Sequence, residues 1–290
     1  MNIAQLLVLL LLAAIWGASF LFMRVAVQEF GAISLIMLRV GGAALLLLPF
    51  LYWRGYLAEL KGNCKHLFIL GITNAGLPFT LFAYATSQLT AGFTSVLNSL
   101  APMFTALIGY LWLKQKLSML ATLGLLLGLV GVMLLVQDKS NPGGGVQWFG
   151  IAAGISASFL YGFAANYAKH YKTNMSPIAI TGGHLLAAAL CILPFGIYFW
   201  PETSPSALAW GNAFLLAVLC TALAHFLYFW LLQQVSAHSA VSVTFLIPVF
   251  GMFWGAVFLQ EVISLNMILG CGIILIGVAL TTGVLGKKAA

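Results

Sequence analysis

Acidic residues are almost missing from this sequence. The 290-residue chain holds five Asp and Glu against twelve Lys and Arg. Only 6 % of it is charged, where a soluble domain of average usage has about 25 %. So few charges cannot cover a surface that faces water. Apolar stretches recur along the whole length, with no polar half, which excludes a soluble domain held by a single anchor. The five carboxylates, Glu29, Glu59, Asp138, Glu202 and Glu261, all fall at the ends of apolar stretches or between them. An acid buried in mid-membrane is the usual device for binding a cation or relaying a proton. Its absence argues against a carboxylate-coupled cation exporter, and against membrane proteases and phosphotransferases that need paired acids or a metal. The four cysteines, Cys64, Cys191, Cys220 and Cys271, form no Cys-x-x-Cys pair and none lies beside a His at metal-ligand spacing. Three of them sit inside apolar stretches and read as packing residues. No nucleophile–base constellation stands out. We therefore expect no enzyme, no metal and no cofactor. The formal net charge of +7 is scattered over short gaps without a basic patch, so nucleic acid is not an expected partner.

What the chain has in abundance is apolar sequence: 62 % of residues are hydrophobic, with a mean hydropathy of +1.07. A membrane-spanning helix takes about 20 mostly apolar residues. Ten such stretches follow one another, at 3–23, 32–52, 67–88, 93–113, 118–136, 147–167, 177–199, 209–233, 239–259 and 264–285. The short gaps require antiparallel neighbours. The N-terminal stretch, Met1 to Phe20, has no basic residue before Arg24 and reads as a retained helix, not a cleaved signal.

The polar segment from Gln137 to Gln147, with Asp138, Lys139, Asn141, Pro142 and Gly143 to Gly145, reads as a flexible connector near the chain's midpoint. The halves on either side match. Ile33 through Phe50 aligns without gaps to Ile178 through Phe195, pairing Pro49-Phe50 with Pro194-Phe195. Further on, one shift of 146 pairs Gln88 with Gln234, Pro102 with Pro248, Gly109 with Gly255, Gly124 with Gly270 and Gly131 with Gly277. Ala18-Ser19-Phe20-Leu21 also matches Ala157-Ser158-Phe159-Leu160. We read one repeat over 1–137, a Gly-rich linker over 138–146 and a second repeat over 147–286. A unit of five helices is odd, so the second copy starts on the opposite face. Such inverted repeats are common among secondary transporters. The expected fold is thus an all-α integral membrane protein of ten transmembrane helices in two inverted five-helix repeats.

Placing the N-terminus in the cytoplasm puts Arg54, Lys61, Lys65, Lys114, Lys116, Lys169, Lys172, Lys287 and Lys288 inside and only Arg24 and Lys139 outside. Nine against two is a positive-inside bias, and it predicts both termini in the cytoplasm. Equivalent gaps also change charge between halves: Lys114-Gln115-Lys116 becomes Gln260-Glu261-Val262.

Arg39 is the only Lys or Arg well inside a span, and its repeat partner is His184. One reading is that Arg39 attracts a substrate carboxylate. The other, favoured from the sequence, is a structural Arg that caps carbonyls and locks helices, with a shared architectural role for His184. His225 lies in the eighth span with Tyr228 on the same helical face. It could titrate near neutral pH, although a lone buried His is more often a hydrogen-bonded core residue. His238 lies in a short gap and needs no special role. Asn74, Gln88, Asn98, Asn166 and Gln234 can hydrogen-bond a zwitterion or join helices. Asn74 and Asn98 lie deepest, and Gln88 and Gln234 read as helix joiners. Trp16, Tyr84, Tyr161, Tyr167, Tyr228, Trp230 and Trp254 could line a pocket or pack, whereas Tyr52, Trp53, Tyr56, Trp148, Trp200 and Trp210 read as interface belts. Ser19 and Ser158 suit either a narrow polar path or close packing. Pro102 and Pro248 predict two symmetric helix kinks that suit alternating gates. Gly124-x-x-x-Gly128, Gly150-x-x-x-Gly154 and Gly251-x-x-x-Gly255 allow close helix contact, within the bundle or at a dimer seam.

Ile15-Trp16-Gly17-Ala18-Ser19-Phe20, Leu38-Arg39, Leu100-Ala101-Pro102 to Leu111 with Leu117-Ser118, Ile247-Pro248-Val249-Phe250 and Gln260-Glu261 resemble the ten-helix EamA family of the drug/metabolite transporter superfamily. The resemblance covers nearly the whole chain. The family's acid after the fourth helix is matched by Glu261 in the second copy but replaced by Gln115 in the first. The resemblance implies export of amino acids or related metabolites across a bacterial inner membrane, by alternating access. The central cavity would lie between helices one, three, four, six, eight and nine, with five and ten peripheral. Partly on that basis, the expected substrate-binding residues are Trp16, Asn74, Tyr84, Asn98, Tyr161, His225, Tyr228 and Trp254. The expected partners are a small-molecule metabolite and the lipid bilayer, and the expected state is a monomer or weak homo-oligomer. A multidrug exporter of lipophilic cations is the alternative, and a passive channel a third reading.

Overall fold

The structure, a computed structural model, describes residues 2–137, 147–171, 174–235 and 242–283, and these are helical with no strand among them. The linker 138–146, His238, and four of the counted basic residues (Lys139, Lys172, Lys287 and Lys288) lie outside the described residues.

Eight described helices are long and apolar enough to cross a membrane, and Val243–Leu259 is apolar but shorter. The first of the eight, Ile3–Trp53, runs 51 residues. Unbroken, it would be about 75 Å long, against about 30 Å of bilayer core. It breaks at Gly31, whose φ of 70° and ψ of 164° end one helix and start the next, a backbone that favours glycine. Met23 and Arg39 stand equally far from Gly31 on either side, and Arg39 Nη1 lies 3.5 Å from Met23 Sδ. The break is therefore a hairpin, and it brings the spans to ten. We number them α1 (3–30), α2 (32–53), α3 (Cys64–Gln88), α4 (Ala91–Leu111), α5 (Met119–Val136), α6 (Trp148–His170), α7 (Pro177–Tyr198), α8 (Ala207–Gln234), α9 (Val243–Leu259) and α10 (Leu265–Thr282). A single turn, Leu57–Leu60, follows α2.

The repeat is visible in backbone detail. Among the described residues, the two non-glycine residues with positive φ are Lys114 (54°) and Gln260 (55°), one shift of 146 apart. Each follows a helix whose last turn closes alike, Gln115 N–H donating to Gly109 O and Glu261 N–H to Gly255 O, both at 3.1 Å. Ser118 and Ser264 then cap α5 and α10 by the same bond to the residue three positions on. α3 widens into a π-helical turn at Ile72–Gly76, and α8 does so at Val218–Leu223, again one repeat shift apart.

The inversion is also visible. Gln5 Nε2 donates to Gln234 O, so α1 begins beside the end of α8. A Cβ on Gly150, at the start of α6, would meet Gln88 and Leu89, so α6 begins at the opposite face. The core runs along α1 and α2 through Leu12, Phe20, Met23, Phe30, Leu35 and Ile36, and continues into α3, α8 and α9. α10 lies along α5 at the periphery, where Leu126, Leu129 and Met133 face outward. The glycine motifs pack within the bundle: Gly124 against α10 and Gly128 against Met103 of α4, Gly150 and Gly154 against α3 and α4, Gly251 against Ser95.

The two prolines differ. α4 breaks at Ser99 and Leu100 and restarts at Ala101, so Pro102 stands where its missing N–H costs nothing. α9 runs through Pro248 without a break. Only five described helical residues precede Pro248, so there is little helix to deflect. The expected symmetric pair of kinks is thus a single break in α4.

Candidate functional site

The two π-helical turns contribute to one cavity, lined by Asn74 from the first and Cys220 from the second. Such turns expose backbone and side chains that a regular helix would occupy, and they often mark functional sites. Arg39 of α2 donates from Nε to Thr221 Oγ1, at 3.0 Å, in the turn of α8. His184 of α7, the repeat partner of Arg39, stands 3.5 Å from Asn74 Nδ2 in the turn of α3. The inverted repeat therefore sets one basic side chain from each half against the widened turn of the other half.

Between these contacts lies a cavity of about 580 Å³. Small-molecule sites span about 300–1,000 Å³. Its aromatic walls come from Trp16 and Phe20 of α1, Phe79 and Phe82 of α3, Tyr161 of α6, and Tyr228 and Phe229 of α8. Trp16 packs at 5.4 Å on Tyr228, and Tyr161 at 5.8 Å on Phe82. The lining continues through Thr105, Ala165, Phe229, Val243 and Thr282, all toward the face where α1 begins. Polar ties close the opposite face. Glu29 accepts from Ser206 N and Oγ at 2.6 and 2.8 Å. Ser34 donates to the carbonyls of Gly196 and Phe199. Glu261 accepts from Ala91 N and Gly92 N, at the start of α4, and Arg24 donates to Thr86 O and Ser87 O, at the end of α3.

Among the described residues, Arg39 is the only Arg, Lys, Asp or Glu lining the cavity, and it is 4 % exposed. Its guanidinium carbon lies over Phe79, 3.8 Å from the ring centroid. Of its five N–H donors, one goes to Thr221 and one to Met23. His184 Nδ1 lies 2.9 Å from Ile180 O, and His225 Nδ1 2.6 Å from Thr221 O. A carbonyl only accepts, so each ring carries a proton on Nδ1, and Nε2 of the neutral ring is an acceptor.

Of the residues singled out from sequence, Trp16, Asn74, Asn98, Tyr161, His225 and Tyr228 line this cavity together with Arg39, His184 and Pro102. Tyr84 does not: it is half-exposed and accepts from Gln88 Nε2 at 2.6 Å. Trp254 instead lines an apolar groove between α1, α8 and α9 and donates from Nε1 to Ala14 O. Pro248 lies in α9 away from the lining, its carbonyl accepting from Ser95 Oγ. Asn166 and Ser158 join α6 to α4 through Thr105 O and Leu97 O. Ser19 lines the cavity and bonds Trp16 O. Sequence reasoning passed over Phe79, Phe82 and Thr221, and read Cys220 as a packing residue. The repeat held the signal, since one shift of 146 carries Phe79 to His225, Phe82 to Tyr228 and Asn74 to Cys220.

Comparison with known proteins bears on this architecture. An uncharacterized transporter of Bacillus subtilis, YoaV, is 27 % identical over 282 residues, covering 94 % of this chain and 95 % of the relative. An uncharacterized transporter of Archaeoglobus fulgidus is 22 % identical over 93 % of this chain and 96 % of its own. Protein PecM of Dickeya dadantii is 27 % identical over 70 % of this chain and 69 % of its own. A solved crystal structure superposes with a TM-score of 0.64 at 18 % identity, over 99 % of this chain and 100 % of that one, a likeness of fold. The pattern of the EamA-like transporter family matches twice, at residues 3–137 and 148–283. The two matches fall on the two five-helix halves that enclose the cavity, and the chain accordingly belongs to the EamA-like transporter family, as a multi-pass membrane transporter.

Proposed function

We propose that the protein exports amino acids or related small metabolites by alternating access through the cavity between its repeats. One observation carries this reading: a cavity of small-molecule size at the repeat interface, walled by aromatic rings, with its lining running toward one face and polar ties across the other. Inverted-repeat transporters bind near the midplane at the repeat interface and rock one repeat against the other. The closed face disfavours a passive channel. A lipophilic cation finds no acid in the lining among the described residues, which disfavours the multidrug reading. The proposed setting is the inner membrane of a bacterium with both termini in the cytoplasm, so that the cavity opens inward, and the proposed state is a monomer or weak homo-oligomer. If protons drive transport, His184 and His225 are the titratable imidazoles at the site.

Reconstitution in proteoliposomes with a panel of labelled amino acids tests the reading. We expect saturable uptake with counterflow for at least one of them. Flux that does not saturate and shows no counterflow indicates a channel. His184→Gln and His225→Gln are expected to flatten the pH dependence of flux. An unchanged profile in both removes imidazole coupling.

A further inference from the structure

We propose that Arg39 is the anion-binding residue of this cavity and that the cargo is an organic monoanion with a flat apolar body. The α-ammonium of an amino acid is then not required for recognition. This rests on the transporter reading above and narrows its substrate class.

A guanidinium held inside a bilayer is costly unless paired or wetted. Arg39 has no carboxylate partner among the described residues, and its two side-chain acceptors are a hydroxyl and a thioether, the second a weak one. Three N–H donors remain without a protein acceptor among the described residues. They belong to a side chain that is 4 % exposed and lines the cavity. A purely structural Arg would be expected to spend its fork on helix-end carbonyls, as Arg24 does on Thr86 and Ser87. Arg39 instead sits over the Phe79 ring with Nε anchored on Thr221 and Nη1 on Met23, which leaves three N–H groups for a ligand. A planar fork matches a carboxylate in two parallel bonds.

The rest of the lining selects the body and the charge. Trp16, Tyr161 and Tyr228 line the cavity with aromatic rings, and no hydrogen-bond acceptor for their indole N–H and hydroxyls is found among the described residues. Their rings suit a cargo with a flat apolar body, and their donors suit acceptor atoms at its edge. An ammonium group finds no acid among the described lining residues, and it would share the cavity with an uncompensated cation. The charge balance favours an anion over a zwitterion, and a zwitterion over a cation.

Three ligands of one shape separate these cases: 3-phenylpropionate, L-phenylalanine and 2-phenylethylamine. Binding is measured by calorimetry on the full chain in nanodiscs, and counterflow in proteoliposomes. We expect affinity to fall in that order. Arg39→Gln is expected to weaken 3-phenylpropionate about 10- to 100-fold, the worth of a charge-assisted hydrogen-bonded contact, and to leave 2-phenylethylamine unchanged or tighter. Should Arg39→Gln fail to fold, Arg39→Lys keeps the charge without the fork. It is expected to bind the acid more weakly than wild type while still preferring it to the amine. Wild-type affinity for the acid in folded Arg39→Gln, or an amine bound as tightly as the acid by wild type, overturns the inference. If L-phenylalanine still shows saturable counterflow in that case, the transporter reading stands alone. Absence of saturable flux for all three and for the whole amino-acid panel overturns both.

Discussion

At the residue scale, the chain concentrates its few charges on helix ends and on one buried position. Glu261 shows what a terminal charge does. Its carboxylate takes the first two N–H groups of α4, which no carbonyl of that helix can reach. Glu261→Ala leaves those donors orphaned beside the Arg24 guanidinium. We expect a loss of about 1–2 kcal/mol, seen as a fall of a few degrees in the detergent-solubilised melting temperature. Glu261→Gln should lose less, because one amide oxygen can still accept. An unchanged temperature for Glu261→Ala would show that water satisfies the α4 terminus and that the acid is idle. Residue roles of this kind were only partly legible in the sequence. The buried position of Arg39 and its pairing with His184 could be read from hydropathy and the repeat. Its free donors could not, since they depend on Thr221 holding Nε and Phe79 lying beneath the guanidinium carbon. Tyr84 and Trp254 looked equivalent to Tyr161 and Trp16 because apolar spans carry little rotational signal when every face is hydrophobic. The turn of the helix, and not the residue type, put one pair into the cavity and the other outside it.

At the element scale, the spans follow the sequence closely because about 20 apolar residues allow only a helix in a bilayer. The finer features needed the repeat or the structure. The break at Gly31 coincides with the gap between the first two stretches, yet α1 continues to residue 30, past Arg24, Gln28 and Glu29, so that Glu29 reaches the start of α8. The π-helical turns had no signature in composition. The packing of α5 on α10 offers a sharp test, since the two helices touch backbone to backbone. A Cβ on Gly277 would lie 2.6 Å from Gly124 O, closer than real contacts, while one on Gly272 would meet open space. Gly277→Ala should therefore destabilise by about 1–3 kcal/mol through overpacking. Gly272→Ala, in the same helix, should be neutral or stabilise by up to about 1 kcal/mol through helix propensity. Paired melting measurements check the contrast, and equal effects of the two would mean that the seam is looser than its backbone contacts imply.

At the scale of the whole molecule, three of the ties on the closed face cross from one repeat to the other: Glu29 to Ser206, Ser34 to Gly196 and Phe199, and Glu261 to Ala91 and Gly92. Each joins a side chain to a helix end, and none is an ion pair. Such bonds are individually worth about 1 kcal/mol, so a few of them can hold a face shut while leaving it able to open. A rocking mechanism requires all three to part when the cavity turns to the other face. A tie made permanent should therefore stop the cycle without harming the fold. In a variant with exposed Cys64 replaced by Ser, Glu29→Cys and Ser206→Cys place thiols where a carboxylate and a hydroxyl now meet. Closing them with a short thiol cross-linker should abolish counterflow in proteoliposomes while leaving binding from the open face intact. Each single-cysteine control should keep its flux after the same treatment. Continued counterflow with the bridge in place would mean that this face never parts at α1 and α8, and the path would have to leave elsewhere. The apolar groove along α1, α8 and α9, where Trp254 sits, would be the next place to block.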